Sequence, residues 1–254
     1  MKQTALITGA TSGLGYDFVK LFANDNYNLV LVARNEIKLQ EIKNSYPHIK
    51  VTIISKDLSI SSAAKELFND IESRGIQIDI LVNNAGFGSV GEFDELDIEN
   101  QLNMIQLNIA TLTELTYYFL PKMKLRKNGR ILNVASTAAF QPGPLMAVYY
   151  ATKAYVLSFS EALVDELSDS PVTVTTLCPG PTKTNFSSAA NIKENKMFGM
   201  PMNSDFVAKK GYQALMSGKR VSIPGGSNKL GAIGVKFIPR SIASKISKYI
   251  SGKK

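Results

Sequence analysis

Short apolar runs alternate with helical stretches along this chain, and this alternation constrains the fold more than any other feature. The strand-like runs are residues 4–8, 28–33, 51–54, 78–82, 130–135 and 172–177, with a last one at 221–223. Strands separated by helices at this spacing favour a parallel sheet that is buried on both faces. The sequence therefore predicts a doubly wound α/β fold, the Rossmann arrangement, with helices on both faces of the sheet.

One domain, residues 1–254, accounts for the whole chain, because no internal repeat or linker divides it. Helices are predicted near Gly13, from about residues 59–62, and at 99–120, 147–167, 204–217 and 239–250. Residues 185–203 break the alternation without a clear period, and a loop of this length is often a lid over a site. Residues 229–254 are interpreted as a basic, amphipathic C-terminal extension.

Charge is distributed unevenly along the chain. Residues 1–182 carry 15 Lys and Arg against 19 Asp and Glu, whereas residues 183–254 carry 14 against 2. The basic balance therefore belongs to the last quarter of the chain. No nucleic-acid-binding module is recognisable, so we do not expect a nucleic acid partner.

The counts of reactive side chains exclude several classes of protein. Cys178 is the only cysteine, which rules out an intrachain disulfide; we expect it to be buried at a strand end, with a reactive thiol as the alternative. His48 is the only histidine, which argues against a His-based catalytic triad and a His-rich zinc site, and no metal is expected. No apolar run is long enough for a membrane span, and the N-terminal run is too short for a secretory signal, so we expect a cytoplasmic protein.

A glycine-rich turn follows the first predicted strand and opens the first predicted helix. Its sequence is Thr8-Gly9-Ala10-Thr11-Ser12-Gly13-Leu14-Gly15. Glycines allow the backbone to approach a pyrophosphate closely, and a helix N-terminus attracts negative charge. The pattern predicts a dinucleotide site formed by Gly9, Thr11, Ser12, Gly13, Leu14 and Gly15.

The end of the second strand bears on which dinucleotide binds. An acidic residue about twenty positions after the glycines usually holds the ribose 2′-hydroxyl of NAD, but Ala33 stands near that position. The neighbouring Arg34 would pair with a 2′-phosphate instead. We therefore expect NADP in preference to NAD, with a solvated surface arginine as the alternative interpretation.

A tyrosine and a lysine form the second chemical motif. Tyr149 lies thirteen residues after Ser136 and four before Lys153, so the tyrosine and the lysine share one face of a helix. A nearby ammonium group favours the phenolate and is expected to lower the tyrosine pKa from about 10. Such a tyrosine would protonate a developing alkoxide or deprotonate an alcohol. Taken alone, this spacing is more typical of an ordinary helix surface.

Together, these motifs resemble the short-chain dehydrogenase/reductase family, in its form of roughly 250 residues. The matching positions are Thr8-Gly9-x-x-x-Gly13-x-Gly15, Asp57, Asn83-Asn84-Ala85-Gly86, Ser136, Tyr149-x-x-x-Lys153, Pro179-Gly180 and Thr184. The resemblance covers about residues 1–184 and weakens after them. It implies an NAD(P)-dependent oxidoreductase that interconverts a carbonyl and a secondary alcohol.

The resemblance also implies a role for each matching residue. Tyr149 would be the acid/base, Lys153 would tune it and bind the nicotinamide ribose, and Ser136 would hydrogen-bond the substrate oxygen. Asn108 would hold a proton-relay water, with Asn103 as a weaker candidate. The implied cofactor contacts are Asp57 and Leu58 at the adenine, Asn83, Ala85 and Gly86 at the central strands, and Pro179, Gly180, Thr182 and Thr184 at the nicotinamide.

Other functions remain open at this point. A dinucleotide-sensing regulatory or scaffold protein would share the fold. The set of Ser136, Tyr149 and Lys153 favours an enzyme over such a sensor, because a sensor needs no proton donor. An epimerase that retains its cofactor usually has a larger substrate domain than this chain can accommodate. We expect a small-molecule carbonyl or alcohol substrate and a homo-oligomer, either a dimer or a tetramer.

Apolar residues around the predicted lid suggest a hydrophobic carbonyl substrate. They are Phe186, Met197, Phe198, Met200 and Met202 in the lid, and Phe140, Pro142 and Pro144 after Ser136. Met side chains adapt to irregular shapes. Packing of the loop onto the domain is an equal alternative.

The extension ends in an amphipathic helix. Ile238, Ile242, Ile246, Tyr249 and Ile250 recur at helical spacing, and Arg240, Lys245 and Lys248 take other positions. We interpret this helix as packing on the domain or on a second subunit. Peripheral contact with an anionic membrane surface is the alternative.

Overall fold

A computed structural model describes residues 2–184 and 201–251, with side chains up to Tyr249. Its main sheet has seven parallel strands in the order β3-β2-β1-β4-β5-β6-β9. These strands are β1 Thr4–Thr8, β2 Asn28–Ala33, β3 Val51–Ser55, β4 Ile80–Asn83, β5 Arg130–Val134, β6 Thr173–Leu177 and β9 Val221–Ser222. A small parallel pair joins β7 Thr182–Lys183 to β8 Met202–Asn203.

Helices cover both faces of this sheet, so the predicted doubly wound fold is confirmed. The helices are α1 Gly13–Asn24, α2 Glu36–Asn44, α3 Ala63–Ser73, α4 Ile98–Ile105, α5 Leu112–Leu125, α6 Ala147–Glu166, α7 Ser204–Met216, α8 Gly226–Gly234 and α9 Arg240–Ser251. A π-helical turn, Gln106–Thr111, joins α4 to α5 within the long helix that the sequence predicts.

The core lies in two layers because neighbouring residues of each strand point to opposite faces. Ile7 of β1 packs with α1, α2 and α7, and its neighbour Leu6 packs with α3, α5 and α6. Phe18 and Phe22 of α1 are fully buried in the first layer. Full burial of side chains of this size stabilises the fold by about 1.5–3 kcal/mol each. Between the two layers, the carboxyl ends of the parallel strands lie at one edge of the sheet. The glycine turn follows β1 at that edge.

Two helices were not expected from the sequence. Helix α2 buries only Leu39 and Ile42, so its apolar periodicity is weak. The side chain of Asn35 caps the helix by accepting a hydrogen bond from the Lys38 amide at 2.9 Å. In α8 the only buried residue is Ala232, and its glycines read as a loop. The residues of α2 are mostly good helix formers, so its weak apolar periodicity and not its propensity hid it.

The predicted lid falls mostly outside the described residues. Only residues 201–203 of it are described, and the strand β8 within them pairs with β7. The lid itself therefore stays a prediction.

The last helix contacts the domain through small residues. Ala243 and Ser247 are each 1% exposed, whereas Ile242 and Ile246 are 47% and 45% exposed. The helix therefore packs on the domain through Ala243 and Ser247 and not through Ile242 and Ile246; packing of these isoleucines on a second subunit stays a prediction. Among the described residues, no helix is both long enough and apolar enough to cross a bilayer.

Candidate active site

The glycine turn requires glycine at two of its positions. Gly9 has φ +66° and donates its amide hydrogen to the Val32 carbonyl at 2.9 Å, which ties the turn to β2. A Cβ added to Gly15 would lie 2.0 Å from the Gly9 carbonyl oxygen. Glycine therefore lets the first turn of α1 sit directly on the end of β1, with Leu14 packed on the core.

Two residues that were not predicted as site residues fasten this turn. The Thr8 hydroxyl accepts hydrogen bonds from the amides of Asn84 and Ala85, both at 3.0 Å. The Asn84 side chain donates to the carbonyl oxygens of Thr8 at 2.9 Å and Gly9 at 3.3 Å. The end of β4 is thereby bound to the glycine turn. Both residues stand in motifs of the sequence, Thr8 in the glycine turn and Asn84 in Asn83-Asn84-Ala85-Gly86, but 76 residues separate them.

The N-terminus of α1 fits an anionic ligand. Ser12 occupies the cap position without making a side-chain capping hydrogen bond, and the first turn of α1 contains no acidic residue. The amides of such a turn are hydrogen-bond donors at the positive end of the helix dipole. Thr184 closes the opposite side, since a Cβ on Gly13 would lie 3.0 Å from its methyl group. The turn therefore suits a dinucleotide phosphate, and phosphate binding by residues 9–15 stays a prediction.

Arg34 and Asp57 lie together beside this turn. Arg34 is exposed at the end of β2. Burial alone would raise the pKa of Asp57, but two hydrogen bonds from Ser59 and the nearby charge of Arg34 outweigh it and hold the pKa below its ordinary value. The Asp57 carboxylate is therefore ionised at neutral pH. An exposed cation and a fixed anion thus flank the place where β2 and β3 end.

Leu58 and Ala85 line a small cavity next to the turn. The other lining residues are Thr8, Asn83, Leu107, Thr111, Leu112 and Leu115. Leu58 is 4% exposed, and its carbonyl accepts a 2.7 Å hydrogen bond from the Thr111 hydroxyl. This mostly apolar surface lies next to the predicted adenine contacts, Asp57 and Leu58.

The side chain of Asn83, a predicted cofactor residue, lies in the interior of the protein. Asn83 is 3% exposed, and its amide donates to the Thr116 hydroxyl at 3.1 Å and to the Asn133 side chain at 2.9 Å. Asn133 in turn donates to Ser160 at 2.9 Å. The side-chain nitrogen of Asn83 thus joins β4 to β5 and α5, a geometry suited to steadying the central strands.

The π-helical turn places Asn108 inside the site. Its side chain exchanges hydrogen bonds with the Phe87 backbone, at 3.1 Å and 3.0 Å, and donates to the Thr152 hydroxyl at 3.1 Å. Thr152 donates to the Tyr149 carbonyl at 2.7 Å. π-Helical turns are rare and concentrate at functional sites. Here the π-helical turn directs the buried side-chain amide of Asn108 towards α6, the helix that carries Tyr149.

Asn103, the competing candidate, does not reach this region. It is exposed on α4, whereas Asn108 is 1% exposed. A Cβ added to Gly86 would lie 2.9 Å from the Asn108 side-chain oxygen and 3.5 Å from the Lys153 ammonium nitrogen. Gly86 therefore brings the backbone after β4 between Asn108 and Lys153.

Ser136, Tyr149 and Lys153 come together at the end of β5. The Ser136 hydroxyl accepts from the Ala138 amide at 3.1 Å and is also hydrogen-bonded with Tyr149. The Lys153 ammonium lies 5.7 Å from the centre of the Tyr149 ring and donates to the Val134 carbonyl at 2.9 Å. Residues on α6 and on the loop after β5 thus face one another, as the motif spacing predicts.

The expected lowering of the tyrosine pKa is not what the structure shows. Burial raises the pKa of Tyr149 to about 12, and the hydrogen bond with Ser136 opposes this only in part. Burial also lowers the pKa of Lys153 to about 8. Both shifts follow from the cost of a charge in a poorly solvated place, which favours the neutral form of each group. Tyr149 is therefore protonated at neutral pH.

The segment after β6 links the two halves of the site. The Pro179 carbonyl accepts from the Thr137 amide at 2.8 Å and from the Ser136 hydroxyl at 3.4 Å. Thr182 donates to the Gly180 carbonyl at 2.8 Å. Residues 179–184 therefore run from Ser136 to the glycine turn, as expected for a segment beside a nicotinamide.

Cys178 precedes this segment and is completely buried. Burial raises the pKa of its thiol to about 12, so the buried interpretation is confirmed and the reactive thiol is not supported. Among the residues that the structure describes, no three His, Cys, Asp or Glu side chains are grouped to hold a metal ion.

Comparison with known proteins agrees with this geometry. Residues 3–195 match the family described as short chain dehydrogenase. An uncharacterized oxidoreductase of Staphylococcus epidermidis is 30% identical over 195 residues, covering 77% of this chain and 84% of the relative. A very-long-chain 3-oxoacyl-CoA reductase of Danio rerio is 34% identical over 181 residues, covering 69% of this chain and 58% of that protein.

A solved structure shows the same fold with a bound cofactor. The short-chain dehydrogenase from Sphingobium yanoikuyae in complex with NADPH superposes with a TM-score of 0.83 at 29% identity, and the match covers 92% of each chain. The parallel sheet, the glycine turn and the profile match over most of the chain are mutually consistent. We conclude that the chain belongs to the short-chain dehydrogenase/reductase family of nicotinamide-dependent oxidoreductases.

Proposed function

We propose that this protein is an NADPH-dependent reductase that converts a hydrophobic carbonyl compound into a secondary alcohol and also catalyses the reverse oxidation. The observation that carries the proposal is the convergence of Ser136, Tyr149 and Lys153 beside the glycine turn. A protonated tyrosine, a hydroxyl and an ammonium group at the cofactor edge are the groups that a carbonyl reduction needs.

The residues present suit NADPH, which when bound would supply the hydride for the reduction. The amides that follow Ser12 would hold its pyrophosphate, and Arg34 would pair with the 2′-phosphate. Leu58 and Ala85 would line the adenine surface, and Lys153 would hydrogen-bond the nicotinamide ribose. The preference for NADPH rests on Arg34, since Ala33 offers no carboxylate for a free 2′-hydroxyl.

The proton comes from Tyr149 in this proposal. Because its pKa is about 12, the phenol is protonated throughout the neutral range and can donate from its hydroxyl to the substrate oxygen. The Ser136 hydroxyl would hydrogen-bond the same oxygen and hold it in place. Lys153, with a pKa of about 8, is largely an ammonium at pH 7 and would stabilise the phenolate that forms.

Asn108 acts as a positioning residue in this scheme. Its amide is already engaged with Phe87 and Thr152. A relay water would therefore be held by backbone carbonyls of the π-helical turn rather than by the Asn108 amide donor. The hydrogen bonds from Asn108 to Thr152 and from Thr152 to the Tyr149 carbonyl would hold α6 at a fixed position relative to the cofactor.

The substrate is proposed to be apolar. Phe140 ends the 3₁₀ turn Thr137–Phe140 that begins directly after Ser136, and the half-buried Pro142 and Pro144 follow it in the chain. The Danio rerio relative is named for a substrate with a very long acyl chain, which supports an extended apolar carbonyl compound. A hydrophobic ketone or a 3-oxoacyl thioester fits both observations.

The test is a screen of NADPH oxidation against apolar ketones, steroids and 3-oxoacyl thioesters, with NADH measured in parallel. We expect turnover of at least one apolar carbonyl, faster with NADPH than with NADH. If the protein bound NADPH but oxidised it with none of them, the dinucleotide-sensing alternative would replace the enzyme.

We also propose that the chain forms a homo-oligomer through α4. Ile98, Leu102 and Ile105 lie on one face of this helix and are 54%, 50% and 39% exposed. Apolar side chains at this spacing are suited to a helical interface. Sedimentation velocity on Leu102→Glu should show a smaller species than the natural protein; equal sedimentation would contradict this interface.

A further inference from the structure

The C-terminal quarter exposes large apolar side chains along most of its length. They are Leu230 and Ile233 in α8, Phe237 in the connecting turn, and Ile242, Ile246 and Tyr249 in α9, exposed by 73, 42, 83, 47, 45 and 88%. Isolated exposed apolar residues need no explanation, but a series at every three to five residues does.

On α9 these residues form a face that the fold does not use. Ile242, Ile246 and Tyr249 are spaced i, i+4 and i+7, which places them on one side of the helix. Ala243 and Ser247, on the neighbouring side, are the residues that α9 buries against the domain. The apolar face is therefore available to a partner.

Positive charge surrounds this face. Lys229, Lys236, Arg240, Lys245 and Lys248 lie in the same stretch, and the sequence contains no Asp or Glu after Asp205. Within the part of the chain that the structure describes, none of these five cations forms a salt bridge. Lysines beside an exposed apolar stripe are typical of helices that lie in the surface of an anionic bilayer.

We propose that residues 229–249 dock on the surface of an anionic lipid bilayer. The apolar side chains would enter the boundary between headgroups and acyl chains, and the cations would contact anionic headgroups. A second copy of this chain fits less well, because pairing the same face would bring two sets of five cations together. The charge of the face thus selects lipid over self-association.

The position of this face gives docking a consequence for the site. Lys236 lies 5.8 Å from the centre of the Phe140 ring, and α9 packs its Ser247 near Tyr150, next to Tyr149 on α6. The segment that carries the docking face therefore lies beside the loop after Ser136 and beside α6, which carries Tyr149. The docking itself does not depend on the proposed reductase activity and is tested without substrate.

The experiment is co-sedimentation of the full chain with vesicles at physiological salt. One set contains phosphatidylcholine alone, and the other contains one-third phosphatidylserine. We expect binding to the anionic set only, weakening as salt is raised. Phe237→Ser/Tyr249→Ser and, separately, Lys245→Gln/Lys248→Gln should each weaken it by about tenfold or more.

Leu125→Ser is the matched control, because Leu125 and Phe237 are both 83% exposed and Leu125 lies at the end of α5, away from this face. It should bind vesicles like the natural protein. The proposal is overturned if the natural protein ignores anionic vesicles, or if Leu125→Ser weakens binding as much as Phe237→Ser/Tyr249→Ser. It is also overturned if the latter variant dissociates an oligomer without lipid, which would identify a second copy as the partner. The charge variant keeps the test decisive should the apolar variant fold poorly.

Discussion

The body of this protein and its C-terminal quarter depart from ordinary globular packing in opposite directions. The body buries polar groups: Asn83, Asn108 and Lys153 are 3, 1 and 6% exposed. The C-terminal quarter exposes apolar ones, with Phe237 and Tyr249 at 83 and 88%. Buried polar and exposed apolar side chains are the informative exceptions to the general rule of burial. The first set surrounds the proposed site of chemistry, and the second forms the proposed docking face.

The two departures are stabilised differently. Buried polar groups in the body are held by hydrogen bonds, such as that from Lys153 to the Val134 carbonyl at 2.9 Å and those of the Asn108 amide. Without such partners, each would cost about 1–3 kcal/mol. The exposed apolar groups have no equivalent partner among the described residues. The comparison predicts that changes in the body alter chemistry, whereas changes in the last quarter leave it intact.

The largest effect is expected from Tyr149→Phe. The ring keeps its packing but loses the transferable proton, so turnover should fall by about 10²–10⁴-fold while NADPH binding is retained. Steady-state rates and a fluorescence titration with NADPH measure the two quantities. Tyr150→Phe, one residue away on α6, is the control and should remain active. An inactive Tyr150→Phe together with an active Tyr149→Phe would show that Tyr150, and not Tyr149, is the proton donor.

Lys153→Met should stabilise the folded protein at pH 7 although it impairs turnover. Burial lowers the pKa of Lys153 from 10.5 to about 8, so the folded state is penalised wherever this lysine is charged. The penalty, about 3–4 kcal/mol, is complete below pH 8 and vanishes as pH rises towards 10.5. Thermal unfolding of both proteins from pH 7 to pH 10 should show a gain that shrinks with pH. A gain independent of pH would refute the electrostatic explanation.

Arg34→Ala should weaken the use of NADPH and leave that of NADH nearly unchanged. Loss of a charge-assisted hydrogen bond of about 1.5–3 kcal/mol corresponds to a rise of roughly 10- to 150-fold in the KM for NADPH. The KM values for the two cofactors provide the measurement. Arg74→Ala is the control, since Arg74 is an exposed arginine paired with Asp70 on α3. Equal effects on NADPH and NADH would remove the argument for NADP preference.

The smallest effect is expected in the C-terminal quarter, from Gly231→Ala. Gly231 lies within α8, and nothing lies within 4 Å of where its Cβ would be. Alanine should therefore stabilise the protein by about 0.5–1 kcal/mol without changing turnover. Gly15→Ala is the contrasting variant in the body, because its Cβ would lie 2.0 Å from the Gly9 carbonyl oxygen. Chemical denaturation and NADPH titration of both variants distinguish the regions; a Gly15→Ala variant that bound NADPH normally would contradict the tight turn.

Local patterns in the sequence predicted much of the site. The glycine turn and the pairing of Tyr149 with Lys153 depend on residues within one turn or one helix, so their spacing alone indicates their geometry. Contacts between distant segments were not predictable in this way. Asn84 binds Thr8 across 76 residues, and Asn108 binds Thr152 across 44. The sequence could name Asn108 only by resemblance, and the π-helical turn supplies the physical reason for preferring it to Asn103.

The sequence by itself determined the order of the strands of the main sheet, the glycine turn and the family, because apolar periodicity and glycine spacing act through local backbone geometry. Only the tertiary structure decided the protonation state of Tyr149 and the exposed face of α9. Burial raises the pKa of Tyr149, although the neighbouring lysine suggested the opposite from the sequence. Whether Ala243 or Ile242 faces the domain is likewise settled by the orientation in which α9 docks. Both outcomes depend on desolvation by segments far apart in the chain, which no local pattern encodes.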